Sequence, residues 1–156
     1  MNVKKLIATA MMFSAFAVPK IDTDFKSYMD YRCITNTSSA QYKLQQEAET
    51  DENGLRTVDG YYMIAVGTYY SETVGDKFKV TLDSGESFRA VVGDIKDNSD
   101  TDRLNMYRPL TGGRGDMIEF IVDTKKLPKK VKTWGSVSAL PEFSGNVKKI
   151  EKIEED

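Results

Sequence analysis

From Leu55 onward, apolar and polar residues alternate with a period of two, and this restricts the chain to sheet more firmly than any other feature. Phe78, Val80 and Leu82 alternate with Lys77, Lys79 and Thr81; Phe88, Ala90 and Val92 alternate with Ser87, Arg89 and Val91. Tyr62-Ile64-Val66 interleaves with Tyr61-Met63-Ala65. Side chains in a strand point to opposite faces in turn, so each run has one face for a core. Asp83-Ser84-Gly85-Glu86 joins two of the runs and reads as a hairpin turn, with Gly85 free to take positive φ. Met117 to Val122 is apolar apart from Glu119, as expected of a strand covered on both faces. Trp134–Leu140 and Gly145–Ile150 read as two more short strands, and the charged tail Glu151 to Asp156 as frayed. The expectation is a mainly β domain of six or seven strands closing into a small barrel of mixed connectivity.

The N-terminal third lacks that alternation. Ile21 to Thr37 has no clean period and reads as an extended arm or an irregular strand. Ser38 to Ala48 predicts one short helix, with Ser38 and Gln41 as a capping box, ended by Asn53-Gly54. Before the arm, Asn2, Lys4 and Lys5 precede an uncharged run from Leu6 to Val18, and Ala15-Phe16-Ala17 has the small-x-small pattern of a signal-peptidase site. That apolar run is shorter than the ~20 residues of a bilayer-spanning helix, so a cleaved export signal is expected rather than a stable membrane span. The divisions are therefore 1–17 signal peptide, 18–54 arm and helix, 55–150 β domain and 151–156 tail, with a secreted or cell-envelope location.

Composition removes several chemistries. There is no His, which excludes Ser-His-Asp and Cys-His relays and His-ligated metals. A single Cys excludes an internal disulfide and Cys-rich zinc sites, and Cys33 is expected as a small buried core residue. Formal charge is −2 and the isoelectric point about 5.3, which argues against nucleic acid as a partner. Any catalysis must run on carboxylates, Lys, Tyr or hydroxyls.

Two segments go beyond generic strand patterning. Tyr62-Met63-Ile64-Ala65-Val66-Gly67-Thr68-Tyr69-Tyr70 is followed by Val74 to Leu82, and Ala90-Val91-Val92-Gly93-Asp94-Ile95-Lys96 by Gly115 to Asp123. Together, over about Gly60 to Phe143, they resemble the double-psi β-barrel, in particular the three-aspartate "3D" domains of bacterial cell-wall lytic transglycosylases and of resuscitation and spore-germination factors. The resemblance implies a double-psi-type barrel and places Asp94 at the family's acid before the loop. Glu119 falls at the acid of the final hydrophobic strand, the catalytic acid of the transglycosylase branch, and Asp123, near the strand end, at a third acid of the set. The chain departs from the family in its longer, charged Lys96 to Gly115 connection and in carrying Glu for Asp at position 119.

Chemically, one protonated carboxyl can donate to a glycosidic oxygen while an ionised partner supports the site. Glu119 between Ile118 and Phe120 is suited to the first role and Asp94 to the second. The competing structural roles are an ion pair with Lys or Arg for the strand acid and a turn cap for Asp94. Tyr61, Tyr62, Tyr69, Tyr70 and Tyr107 can stack on sugars or pack across strands. Asp97, Asp100 and Asp102 crowd one loop, but Arg103 stands where a calcium loop needs Gly and Pro109 at its last position, so a solvated loop is expected and no metal or cofactor. Arg114-Gly115-Asp116 and Asn36-Thr37-Ser38 match short motifs by chance. The expected partner is peptidoglycan or another glycan, with an envelope or virion protein as a further partner; the alternative to an enzyme is a non-catalytic barrel serving as a glycan-binding or assembly module.

Overall fold

The structure is a computed structural model, and residues 11–155 are described; the charged start and Leu6 to Ala10 of the predicted export signal lie outside them. In chain order the strands are β1 (Met11–Phe16), β2 (Tyr28–Asp30), β3 (Glu49–Thr50), β4 (Arg56–Val58), β5 (Tyr61–Val66) and β6 (Lys77–Leu82). They continue with β7 (Ser87–Ile95), β8 (Arg108–Pro109), β9 (Gly115–Asp116), β10 (Glu119–Val122) and β11 (Val147–Glu155), and the helices are α1 (Ala40–Gln45) and α2 (Lys129–Trp134). Nine strands form one sheet with the path β1-β11-β6-β7-β5-β10-β2; β4 adds to β5 and β3 to β4, while β8 and β9 make a separate ribbon. Pairing is mixed, since β5–β7 and β10–β2 are parallel and the other pairs antiparallel. The mainly β class holds, but there are more strands than six or seven and two short helices in place of one. No pairing joins β1 to β2 among the described residues, so the sheet path stays open.

The alternation explains the layering. Phe78, Val80, Leu82, Phe88, Ala90, Val92, Ile64, Val66, Phe120 and Val122 project into the larger core. Tyr62, Phe88, Phe120 and Phe143 meet there with centroids 5.0–6.4 Å apart, edge-on except for the tilted Phe88–Phe120 pair. The other face buries Val58, Met63, Val91 and Ile121 beneath Met29, Tyr31, Ile34, Leu44 and Ala48 of the arm and α1. The arm is therefore the second cover of the sheet, which is why β5 and β7 are apolar on both faces.

Three local expectations are corrected. Trp134–Leu140 is not a strand: Pro128 opens α2, Gly135 closes it at φ 65° by donating to the Val131 carbonyl, and 3-10 turns follow. The tail is not frayed, because Glu151 to Glu155 extend β11 between β1 and β6, with Ile153 buried. The α1 cap is Ser39 rather than Ser38, its hydroxyl accepting from the Tyr42 amide at 3.1 Å. The Asp83–Glu86 turn forms as expected, with Gly85 at φ 93°. Among the described residues no helix is long and apolar enough to cross a membrane.

Candidate functional site

A register shift in the β5–β7 pair sets the position of Asp94. Ile64 pairs with Val92 but Ala65 pairs with Asp94, so Gly93 is an extra residue in β7, a β-bulge. A Cβ on Gly93 would lie 2.7 Å from Ile121 Cδ1 and 3.0 Å from Met63 Cε, so a larger residue at that bend would push aside the ends of those two side chains. On the other side of β5, Glu119 at the start of β10 also pairs with Ala65. Residues in register on adjacent strands share a face, so Asp94 and Glu119 flank Ala65, their Cα atoms two strand spacings or roughly 10 Å apart. The methyl of Ala65 leaves the space between them open as a pocket of about 320 Å3, bordered also by Lys96, Asp97, Asp100 and Arg108.

Each acid is fixed separately. Asp94 Oδ1 accepts from the Ile95 amide at 2.9 Å and from Gln41 Nε2 of α1 at 3.4 Å. Glu119 is half-buried, and its Oε2 accepts from Ser27 Oγ at 2.9 Å; Oε1 accepts no hydrogen bond among the described residues. Ser27 in turn donates its amide to Asp116 Oδ1 at 3.3 Å. Asp116 is fully buried, and its Oδ2 makes no hydrogen bond but lies 3.6 Å from Arg108 Nη2 and 3.9 Å from Lys96 Nζ. Lys96 and Arg108 thus neutralise Asp116 from the pocket wall, and four carboxylates remain to two cations along the lining. That balance suits a neutral polyhydroxyl ligand better than an anion.

Asp123 does not join the pair. It sits past the far end of β10, about 13 Å along the strand from Glu119 at ~3.3 Å per residue. There its Oδ1 accepts from both Nη atoms of Arg32 at 3.1 Å and caps the Thr124–Lys126 turn through the Lys125 amide. Asp30 completes this staple; burial alone would raise its carboxyl, but the amide and hydroxyl of Thr124 and the Arg32 contacts hold it down at about 2. Cys33 is exposed, against expectation: the 3-10 turn Tyr31–Cys33 sends Tyr31 inward and turns the thiol out. None of the five sequence-singled tyrosines borders the acid pocket; Tyr62 and Tyr70 pack in the core, and Tyr61 holds Lys77 Nζ 4.7 Å from its ring. In the acidic loop, Asp97 is held below the usual carboxylate range by the Ser99 amide and hydroxyl, and Asp102 Oδ1 accepts from the Met106 and Tyr107 amides. Among the described residues no group of His, Cys, Asp or Glu is arranged to hold a metal ion.

Ser27, Lys96, Arg108 and Asp116 were not singled out from the sequence. Asp116 was met only in the Arg114-Gly115-Asp116 tripeptide, and no local pattern marks the other three. Comparison with protein-family models, with curated proteins and with solved structures gives no match.

Proposed function

We propose that this chain is an exported cell-envelope protein of double-psi-barrel type that binds peptidoglycan glycan and cleaves it by lytic transglycosylation, with Glu119 as acid/base. The observation that carries this is the shared register of Asp94 and Glu119 on either side of Ala65, facing one open pocket. The mixed sheet, parallel at β5–β7 and β10–β2, is compatible with the barrel type. In the reaction, the protonated Glu119 carboxyl gives its proton to the glycosidic oxygen as the bond to the anomeric carbon breaks. The 6-hydroxyl of the same sugar then closes on that carbon and returns its proton to Glu119, so no water enters the products. Asp94, locked by Ile95 and Gln41, stays on the opposite rim as the charge that supports the developing oxocarbenium ion.

The test is to incubate the purified protein with peptidoglycan and assay anhydro-sugar products. Wild type should form them, and Glu119→Gln should lose about 10²–10⁴ in rate. Glycan binding without products in wild type would leave the non-catalytic glycan-binding module, and equal product formation by Glu119→Gln would remove the assigned acid.

A further inference from the structure

The acid pocket is one of three neighbouring pockets, the other two lying where the arm meets the sheet. It shares Asp94 with a neighbouring pocket of about 330 Å3 bordered by Met29, Cys33 and Gln41. That one shares Ile34 and Thr35 with a third, the largest at about 530 Å3, bordered by Tyr31, Arg32, Tyr42, Gln46 and Arg56. The two ends differ in charge: carboxylates dominate around Asp94 and Glu119, whereas the large pocket is lined by two guanidiniums and by no carboxylate.

Arg56 is the feature that needs explaining. It is only 9% exposed, and its bonds go to neutral groups: Nε to Gln45 Oε1 at 3.1 Å, Nη2 to the Gln45 carbonyl at 3.1 Å and Nη1 to Thr50 Oγ1 at 2.9 Å. Among the described residues no carboxylate lies within ion-pair distance of it; Asp123 and Asp30 attract it through space, but both are engaged in ion pairs with Arg32. Burying an unpaired ion is costly, and an arriving anion would relieve that cost. Those three bonds leave one further N–H on each Nη to donate to an acceptor. The guanidinium is also set in advance: its carbon lies 4.1 Å from the centroid of Tyr31, and that of Arg32 lies 4.5 Å from the same ring.

We infer that the Arg56 pocket is a subsite for a carboxylate substituent on a sugar of the same chain whose glycosidic linkage lies at Asp94 and Glu119. This rests on the glycan reading above but uses Arg56 of β4 and residues of the arm, outside the segments that carry the family resemblance. Peptidoglycan strands freed of their stem peptides fit, because removal of the peptide amide leaves lactyl carboxylates at regular intervals along a neutral backbone.

Cys33 is the only cysteine, is exposed and borders the middle pocket, so it reports whether a chain lies between the two ends. The maleimide-labelling rate of Cys33 is measured in the presence of two probes: glycan strands freed of stem peptides, whose lactyl carboxylates are intact, and neutral chitin oligosaccharides of matched length. The carboxylate-bearing strands should slow labelling by about tenfold at ten times their Kd, and the chitin oligosaccharides should need a several-fold higher concentration for the same effect. Arg56→Gln should abolish that preference. Because Arg56 is buried, the exposed Gln46→Glu serves as a second variant, adding a like charge to the pocket without touching the core, and it too should abolish the preference. Equal protection by both probes, or an unchanged preference in both variants, overturns the subsite. Anhydro-products without the carboxylate preference overturn the subsite alone and leave the reaction standing. A preference without products keeps the subsite and removes the reaction, and neither protection nor products from either probe overturns both.

Discussion

Lys26 shows what a single residue contributes that no sequence pattern announces. Its side chain is fully buried, and its Nζ donates to the carbonyls of Gly145 at 2.7 Å and Asp24 at 2.9 Å, tying the arm to the start of β11. Burial disfavours the ammonium and brings its pKa down from 10.5 to about 8, although Asp24, Asp83, Asp116 and Asp22 pull in the opposite direction. Between those two values the unfolded chain holds the proton that the folded chain has released. Stability therefore rises with pH across that interval. Relative to Lys26→Met, wild type should gain up to about 3 kcal/mol between pH 8 and 10.5, read from urea denaturation of both proteins at each pH. A difference that stays flat or falls would contradict a buried, titrating Lys26. In the sequence Lys26 is one more charge in an aperiodic stretch. Nothing local distinguishes it from a solvated lysine, because its environment comes from residues more than a hundred positions away.

At the scale of elements, what was legible followed from how local the signal was. The β6–β7 hairpin has both its alternation and its turn chemistry within a continuous stretch, and it forms where the sequence puts it. Trp134 to Leu140 is not the strand its period suggests, because Pro128 and Gly135 bracket a helix that ends at Trp134 and 3-10 turns follow. β11 was cut short because Lys and Glu crowd its end, and charge was read as fraying. In fact Ile150 and Ile153 face opposite sides of a strand paired along both edges, and the charges between them lie in the ladder. Truncation after Ile150 removes the burial of Ile153 and the pairing of five residues with β1 and of three with β6. It should lower unfolding stability by at least about 2 kcal/mol, measured by urea titration, whereas a frayed tail would leave the midpoint unchanged.

For the whole molecule, the acids were legible and the groove was not. Asp94 and Glu119 stand at the ends of strands whose patterning was strong, so their neighbourhood could be anticipated. Tyr31 and Ser27 reach the same surface as Arg56 of β4 only because an aperiodic arm folds back over the sheet, a long-range event with no periodic trace. The outer strands of the sheet are β2, from the arm, and β1, from the residues that precede it. β1 covers the outer edge of β11, and its last residue, Phe16, packs at 5.9–6.4 Å against Tyr70, Phe78 and Tyr69, while the Tyr70 hydroxyl donates to the Ala17 carbonyl at 2.9 Å. This is the segment whose sequence reads as the end of an export signal. A chain starting at Val18 would leave the β11 edge unpaired and the Tyr69–Tyr70 pair without its third ring. Beside a chain that keeps Met11 to Ala17, it should unfold at lower urea concentration, by about 2 kcal/mol or more, and should self-associate in sedimentation because an open edge recruits strands. Equal midpoints with both chains monomeric would mean that β1 contributes nothing to the sheet it borders.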